Sequence, residues 1–252
     1  MIEKVSEVKD LFANADESQL RKLIEEYALS DKSGIIKLVE AGRKKLEKIE
    51  KEYERVNQML SYEREYAEYE YICGIDEAGR GPLCGPVVAA AVILPKNKLI
   101  LNVNDSKKLS EKKREELFDV IMKEAISVGV GVSTPELIDD INILQATYEA
   151  MRQAIRKLNP IPELLLNDAV TIPKIDIRQV PIIKGDAKSL SIASASIIAK
   201  VTRDRMMYEY DKLYPEYGFA SNKGYGSQEH IEALKKYGPC PIHRRSFIKN
   251  FV

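Results

Sequence analysis

The sequence has few cysteines, no excess of either charge and no long hydrophobic run. Its three cysteines, Cys73, Cys84 and Cys240, are too few and too scattered for a disulfide framework or a local zinc cluster. Lys and Arg together number 39, as do Asp and Glu, so the formal net charge is zero. Any nucleic-acid partner must therefore be bound by a local patch rather than by a global field. The longest mainly apolar run, residues 82–95, is shorter than the ~18 residues of a membrane span.

The first ten residues mix both charges and contain no apolar stretch, so no signal peptide is predicted and we expect a cytoplasmic protein. The 252 residues, 44% of them hydrophobic, are typical of a globular chain. That length allows one large domain with a small companion.

Residues 1–70 differ in composition from the rest of the chain. They contain two glycines and no proline, and carry a net charge of −4 against +4 for the remainder. One helix is predicted after Asp16, and a long one from near Ser33, whose apolar residues recur at spacings of three, four and seven. We expect a helical N-terminal extension over 1–70, built as a hairpin whose long arm leads into a main domain at 71–252. Its Lys/Glu runs are typical of a solvated face, and its role is open between a nucleic-acid arm and a protein-interaction hairpin.

Strand and helix signals alternate from Tyr71 onward. The predicted strands are 71–76, 87–94, 126–133, 163–168 and 177–183. The predicted helices are 110–124, 134–158, 189–213 and 228–237. Five strands interleaved with helices indicate an α/β fold.

Acidic residues lie at the ends of three predicted strands. Asp76 and Glu77 end the first strand, Asp168 ends the fourth, and Asp186 follows the fifth just before a long helix. Carboxylates gathered from several strand ends can hold a hard divalent cation, which also relieves the repulsion between like charges. Taken singly, Asp76-Glu77 can equally be a charged turn and Asp168 a loop-opening residue.

Basic and aromatic residues accompany these acids. Lys107 lies in the Asp105–Ser110 run, and Ser196, Lys200 and Arg203 share a helical face that can follow a phosphate backbone. Tyr225, between two glycines, can stack on a sugar or base. The alternatives are surface charges and a turn aromatic packed on the core. The two histidines, His230 and His243, are too far apart in sequence to form a local ligand pair.

Six ordered sequence blocks across residues 71–252 together resemble the bacterial ribonuclease HII family. They are GIDEAGRGPLCGPVVAAAVIL, NDSKKLS, the strand end at Asp168, KGDAKSLSIASASIIAKVTRDRMM, KGYGS and HRRSF. The sister family, ribonuclease HIII, usually has threonine where this chain has Arg80, and its N-terminal domain tends to contain a sheet. Both differences favour ribonuclease HII.

The resemblance implies a ribonuclease H-like fold, a mixed five-stranded sheet with flanking helices. It implies that two Mg²⁺ or Mn²⁺ ions are held by four catalytic acids, which are Asp76, Glu77, Asp168 and Asp186. One ion would activate water and the other would stabilise the leaving 3′ oxygen.

The resemblance also assigns recognition of the substrate. Gly79, Arg80 and Gly81 would read the ribonucleotide 2′-hydroxyl, and Tyr225 would pack on the adjacent deoxyribose. Lys107, Lys200 and Arg203 are assigned to substrate binding, the last two through phosphates, as is Arg244.

The implied activity is cleavage of the RNA strand of RNA–DNA hybrids and cutting at ribonucleotides embedded in duplex DNA. The products would carry a 5′-phosphate and a 3′-hydroxyl, and the roles expected are ribonucleotide excision and removal of primer RNA during DNA replication. A binding protein for RNA–DNA junctions that does not cut is the main alternative, and another metal-dependent phosphoryl-transfer enzyme of the same fold is a second.

Overall fold

The computed structural model describes residues 4–251, which divide into two compact units between Asn57 and Gln58. The first unit contains helices α1 (Val5–Asn14), α2 (Glu17–Glu26) and most of α3 (Ser33–Gln58). These helices enclose a small apolar core of Val8, Phe12, Ala15, Leu20, Ile24, Ile35, Val39 and Leu46.

The helix starts predicted at Asp16 and Ser33 are confirmed, whereas α1 was not predicted. Asp16 Oδ1 accepts a hydrogen bond from the Gln19 N–H at 2.8 Å, and Gln19 Oε1 accepts one from the Asp16 N–H at 3.0 Å. This reciprocal pair satisfies two of the free N–H groups at the start of α2. The unit therefore has three helices rather than the two of the predicted hairpin.

The second unit is built on a mixed five-stranded sheet, which confirms the predicted fold class. Its strands are β1 (Ile72–Ala78), β2 (Val87–Ile93), β3 (Ser127–Ser133), β4 (Leu164–Asp168) and β5 (Arg178–Ile182). Their spatial order is β3-β2-β1-β4-β5. β1 pairs antiparallel with β2 and parallel with β4, so it is the strand at which the two halves of the sheet join.

Helices cover both faces of this sheet. The helices of this unit are α4 (Ser61–Glu65), α5 (Glu111–Glu124), α6 (Pro135–Arg156), α7 (Leu190–Leu213), α8 (Phe219–Asn222), α9 (Gln228–Tyr237) and α10 (Arg245–Ile248). α6 packs on one face of the sheet and α7 on the other. α6 is interrupted at Asn142, whose φ is 66° and whose Oδ1 accepts from the N–H groups of Leu144 and Gln145. Among the described helices, none is both long enough and apolar enough to span a membrane.

Alternation along β1 determines which face each side chain occupies. Cys73 and Ile75 belong to the core that contains the buried residues of α6. Gly74 lies on the other face, where a Cβ would stand 2.1 Å from the Ser191 carbonyl carbon of α7. Asp76, two residues further on, is therefore on the α7 side of the sheet.

Residues 58–70 belong to the same compact unit as the sheet. The Met59 carbonyl accepts a hydrogen bond from the Leu190 N–H at 3.0 Å. Glu63 Oε1 accepts from the hydroxyls of Ser189 and Ser191, each at 2.7 Å, and from the Ser191 N–H at 3.0 Å. The segment thus stabilises the first turn of α7.

Candidate active site

Two acidic residues meet at the carboxyl ends of the parallel strands β1 and β4. Ile75 pairs with Asn167, so the next residues, Asp76 and Asp168, follow on adjacent strands. Leu166 packs with Ile192 of α7, and the alternation of β4 puts Asp168 on that same side. Both carboxylates therefore leave the sheet beside α7.

Asp186 is linked to this edge by a turn of 3₁₀ helix, Gly185–Ala187. Asp168 Oδ1 accepts a hydrogen bond from the Gly185 N–H at 2.7 Å, which fixes the turn against the end of β4. Glu77, next to Asp76, begins on the opposite face of the strand, but β1 ends at Ala78 and the chain turns there. Its Oε1 lies 3.3 Å from Arg80 Nη1.

The electrostatics of the four acids are coupled. Burial raises the pKa of Asp76 well above its usual range, and the carboxylates of Glu77 and Asp168 raise it further. Burial also raises the pKa of Glu77, although Arg80 partly opposes the shift. Burial, followed by the charges of Asp105 and Asp168, raises the pKa of Asp186. The Asp168 charge thus contributes to raising the pKa of each of the other three acids.

This donor set fits a hard divalent cation. Four carboxylates supply oxygen ligands, and a cation among them offsets the repulsion that, together with burial, raises the pKa values of Asp76, Glu77 and Asp186. The four carboxylates are spread more widely than the ligands of a closed metal cage. Among the described residues, the one group of three His, Cys, Asp or Glu ligand atoms that lie within 4.8 Å of one another contains no acid.

One groove brings together eight of the eleven predicted site residues. The predicted residues that line it are Asp76, Glu77, Gly79, Arg80, Gly81, Lys107, Lys200 and Tyr225. Asp168 and Asp186 adjoin its acidic end through the interactions described above. The roles of these residues stay predictions, but their assembly from six separate chain segments is observed.

The segment 79–81 and Tyr225 are close neighbours in the groove. Gly79 has a φ of +93°, which glycine adopts without strain, and the chain turns there directly after β1. A Cβ on Gly81 would lie 3.9 Å from Cε1 of Tyr225. The Tyr225 side chain is 46% exposed, so its ring is available to a ligand and the alternative of a core-packed aromatic does not hold.

The prediction that Arg203 contacts a phosphate is wrong. Its side chain is 1% exposed, and its guanidinium donates to the carbonyl oxygens of Pro86, Lys223 and Cys84 at 2.9–3.0 Å. The same correction applies to Arg244, which is completely buried. The spacing of Ser196, Lys200 and Arg203 along α7 places them on one helical face, but it does not show that this face is buried at Arg203.

Lys200 and Lys107 remain in the groove. Lys200 Nζ forms an ion pair with Asp204 Oδ1 at 2.7 Å. Lys107 is exposed on a 3₁₀ turn, and its charge lowers the pKa of Glu77.

Sequence reasoning missed the role of two buried serines beside Asp76. Ser196 Oγ lies 2.9 Å from Ser106 Oγ, and its hydroxyl bonds to Asp76. The contact links α7 to the Asp105–Ser110 run. The signal was present, since both serines flank lysines already assigned to the site, but the pairing depends on tertiary structure.

The two histidines, which sequence spacing separated, form a buried pair. His230 Nε2 and His243 Nε2 are 3.0 Å apart, and their group with Cys84 is the one whose ligand atoms lie within 4.8 Å. All four ring nitrogens are engaged, because His230 Nδ1 meets the Tyr225 carbonyl and His243 Nδ1 meets the Cys240 N–H. Arg203 and Arg244 add two positive charges close by. This environment favours a neutral hydrogen-bonded network over a bound cation.

Comparison with known proteins matches both parts of the chain to one family. A family model described as Ribonuclease HII matches residues 73–250, and one described as Ribonuclease HII N-terminal domain matches residues 4–67. The models therefore divide the chain between residues 67 and 73, whereas packing divides it at 57.

Individual relatives agree with the models. A ribonuclease HII from Lachnoclostridium phytofermentans is 60% identical over 249 residues, covering 99% of this chain and 98% of that protein. The solved ribonuclease H2 from Pyrococcus horikoshii OT3 superposes with a TM-score of 0.59 at 30% identity, over 72% of this chain and 96% of that one. The ribonuclease HII of a PCNA complex from Archaeoglobus fulgidus gives a TM-score of 0.60 at 29% identity, over 71% and 96%.

Proposed function

The chain belongs to the ribonuclease HII family of metal-dependent nucleases, and we propose that it cleaves the RNA strand of RNA–DNA hybrids and cuts at single ribonucleotides within duplex DNA. The observation that carries the proposal is the groove in which Asp76 and Glu77, the 79–81 turn and Tyr225 lie together. An acidic end suited to hydrolysis and a turn and aromatic ring suited to sugars share one surface.

The acidic end would hold the metal. Asp76, Glu77, Asp168 and Asp186 are the proposed ligands of Mg²⁺ or Mn²⁺, which when bound activates water and stabilises the leaving oxygen in phosphodiester hydrolysis. Ser196 donates to Asp76 and keeps that carboxylate oriented into the groove. Lys107, whose charge acts on both Glu77 and Asp186, is placed to offset phosphate charge beside the acids.

The 79–81 turn and Tyr225 would read the sugars. Within residues 4–251 the N–H groups of Arg80 and Gly81 donate to no protein acceptor, so both are available to a 2′-hydroxyl. That hydroxyl distinguishes RNA from DNA. The Tyr225 ring, beside Gly81, can pack on the deoxyribose that follows a lone ribonucleotide. A substrate in which a deoxyribose follows a ribonucleotide would contact the 79–81 turn and the Tyr225 ring at once.

The proposal is tested by cleavage of a duplex with one ribonucleotide, with Mg²⁺, with Mn²⁺ and with EDTA. Cutting on the 5′ side of the ribonucleotide, with 5′-phosphate and 3′-hydroxyl products and dependence on metal, supports it. Asp76→Asn should lower kcat by orders of magnitude while substrate affinity is largely kept, and the exposed Asp119→Asn on α5 is its matched control. Full activity of Asp76→Asn, or cutting in EDTA, contradicts the metal site.

Tyr225→Ala tests the sugar-reading end separately. Loss of one aromatic contact is worth about 1–3 kcal/mol. It should therefore lower kcat/KM at a lone ribonucleotide by roughly 5–150-fold, and less within a long RNA run, where no deoxyribose follows the cut. Tyr237→Ala, an equally exposed tyrosine outside the groove, controls for loss of an aromatic ring. An equal loss on both substrates contradicts the assignment.

A further inference from the structure

Two consecutive buried residues, His243 and Arg244, lie behind the two sugar-reading elements. They belong to the segment 238–244, which follows α9 and forms a β-bridge between His243 and Cys84. The Arg244 N–H donates to the Leu83 carbonyl at 2.9 Å, and the Gly85 N–H donates to the Ile242 carbonyl at 2.9 Å. The segment is thereby fixed to the chain immediately after Gly81.

Arg244 uses its guanidinium to hold four backbone carbonyls of that neighbouring chain. It donates to the carbonyl oxygens of Gly79 at 2.5 Å, Arg80 at 2.9 Å, Pro82 at 2.8 Å and Gly85 at 2.9 Å. Within the described chain it has no carboxylate within 4 Å, so these carbonyl dipoles balance its charge. Burial lowers the pKa of Arg244 to about 9, so the group remains charged at neutral pH.

The bonds from Arg244 orient the two N–H groups of the 79–81 turn that have no protein acceptor. The carbonyls of Gly79 and Arg80 are held by Arg244 on the buried side. The peptide groups are planar, so fixing the Gly79 and Arg80 carbonyls also fixes the N–H groups of Arg80 and Gly81. Those are the two N–H groups that have no protein acceptor. Lysine at position 244 would keep the charge but lacks the planar fork of five donors.

His243 reaches the second element through His230. The Cys240 N–H donates to His243 Nδ1 at 3.0 Å, so His243 carries its proton on Nε2 when neutral. That Nε2–H donates to His230 Nε2 at 3.0 Å, and His230 Nδ1–H donates to the Tyr225 carbonyl at 2.8 Å. Every bond in the chain has one donor and one acceptor. Both imidazoles are buried, and burial lowers the pKa of each.

We propose that His243 and Arg244 are paired positioning residues, Arg244 fixing the 79–81 turn directly and His243 fixing Tyr225 through His230. The inference rests on the proposed function, because it assigns a purpose to elements that read sugars only if that function is correct. Since the two residues are adjacent in one fixed segment, they also set the distance between the two elements.

The Arg244 arm is tested by binding. Affinities are measured in Ca²⁺ for a duplex with one ribonucleotide and for the all-DNA duplex of the same sequence. Wild type should prefer the ribonucleotide, and Arg244→Lys should lose most of that preference, at least fivefold, with affinity for all-DNA duplex unchanged. Arg156→Lys, on the exposed surface of α6, is the matched control. An unchanged preference in folded Arg244→Lys overturns this arm, and no preference in wild type overturns the proposed function itself.

The His243 arm is tested by activity ratios. His230→Leu removes the bond to Tyr225, whereas His230→Asn keeps a donor near the Nδ1 position. His230→Leu should shift the ratio of kcat/KM between a lone ribonucleotide and an RNA run as Tyr225→Ala does, and His230→Asn should restore most of it. In the Tyr225→Ala background, His230→Leu should add no further shift.

The outcomes separate the inference from the function. If Tyr225→Ala shifts the ratio and His230→Leu does not, positioning is refuted and the sugar contact stands. If Tyr225→Ala has no effect, the sugar contact is refuted and this arm falls with it. Nitrogen NMR of the wild-type histidines needs no variant, so it still tests the inference if the substitutions unfold the protein. A proton on Nε2 of His230 at neutral pH overturns the proposed hydrogen-bond series from His243 through His230 to Tyr225.

Discussion

Removal of the Glu63 carboxylate should destabilise the start of α7, which follows the turn that carries Asp186. Glu63 Oε1 accepts three hydrogen bonds, from the hydroxyls of Ser189 and Ser191 and from the Ser191 N–H. Those donors lie in the first turn of α7, where backbone N–H groups have no partner inside the helix and a negative charge is favourable. Glu63→Ala leaves these donors without their acceptor.

The structure also bounds the magnitude. Hydrogen bonds to a charged group contribute about 1.5–3 kcal/mol, but the serine hydroxyls are 3.1 Å apart and can bond to each other. Glu63 Oε2 is buried without a hydrogen bond, which offsets part of the gain. We therefore expect Glu63→Ala to lower the free energy of unfolding by roughly 2–4 kcal/mol, or the melting temperature by roughly 10 °C. Glu63→Gln, which keeps the acceptor oxygen, should lose about 1 kcal/mol.

The assay is urea and thermal unfolding followed by circular dichroism, with cleavage rates measured well below each midpoint. Glu65→Ala, an exposed residue of the same short helix, is the matched control and should remain within about 0.5 kcal/mol of wild type. Because α7 begins directly after the turn that carries Asp186, cleavage should also fall in Glu63→Ala. Equal stability of Glu63→Ala and Glu65→Ala would refute the reasoning.

Three further changes have definite expected outcomes. Gly74→Ala should lower the free energy of unfolding, measured in urea, by at least ~1–3 kcal/mol. Its Cβ would lie 2.1 Å from the backbone of Ser191, and a stability equal to that of wild type would contradict this contact. Burial lowers the pKa of His243 from 6.5 to about 4, so the unfolded chain takes up that proton first as the pH falls. The contribution of His243 to the free energy of unfolding should fall by roughly 2–3 kcal/mol between pH 6.5 and 4, opposite in sign to that of the acids with raised pKa values. His243→Gln should lack this contribution, and a pH dependence identical to that of wild type would exclude this histidine. A chain beginning at Gln58 should fold and cut, whereas one beginning at Tyr71 should be much less stable by calorimetry; equal stability would show that residues 58–70 do not stabilise the sheet unit.

The features predictable from sequence were those with a local period or a local chemical signature. The five strands and the long α7 follow from apolar runs bounded by turn residues, and their predicted ranges differ from the observed ones by a few residues. The N-cap at Asp16 depends on neighbours within a few positions, whereas the interruption of α6 at Asn142 lies inside the helix predicted over 134–158 and was not predicted. Asp76 and Asp168 could be predicted at strand ends, but their adjacency depends on the parallel pairing of β1 and β4, which only the structure shows.

The features that failed depend on contacts between distant segments. Helical spacing places Lys200 and Arg203 on one face, but it cannot show that Arg203 is 1% exposed. The burial of an arginine without a carboxylate partner cannot be predicted from composition, because carbonyl oxygens from distant segments of the same chain must replace the water around the guanidinium. Likewise, 13 residues separate His230 from His243, and only the fold brings their rings together.

The corrected arginines change the physical basis of recognition. A chain of zero net charge was expected to bind nucleic acid through a local basic patch, with Arg203 and Arg244 contributing to it. Both guanidiniums instead bind backbone carbonyls, and Lys200 is paired with Asp204, so three of the four assigned cations already have partners. Phosphate contacts hold any duplex and cannot distinguish sugars, whereas oriented peptide N–H groups can distinguish a 2′-hydroxyl. Under the proposed function, Arg244 would serve selectivity rather than affinity, because its charge stabilises the backbone whose uncharged N–H groups would face the substrate.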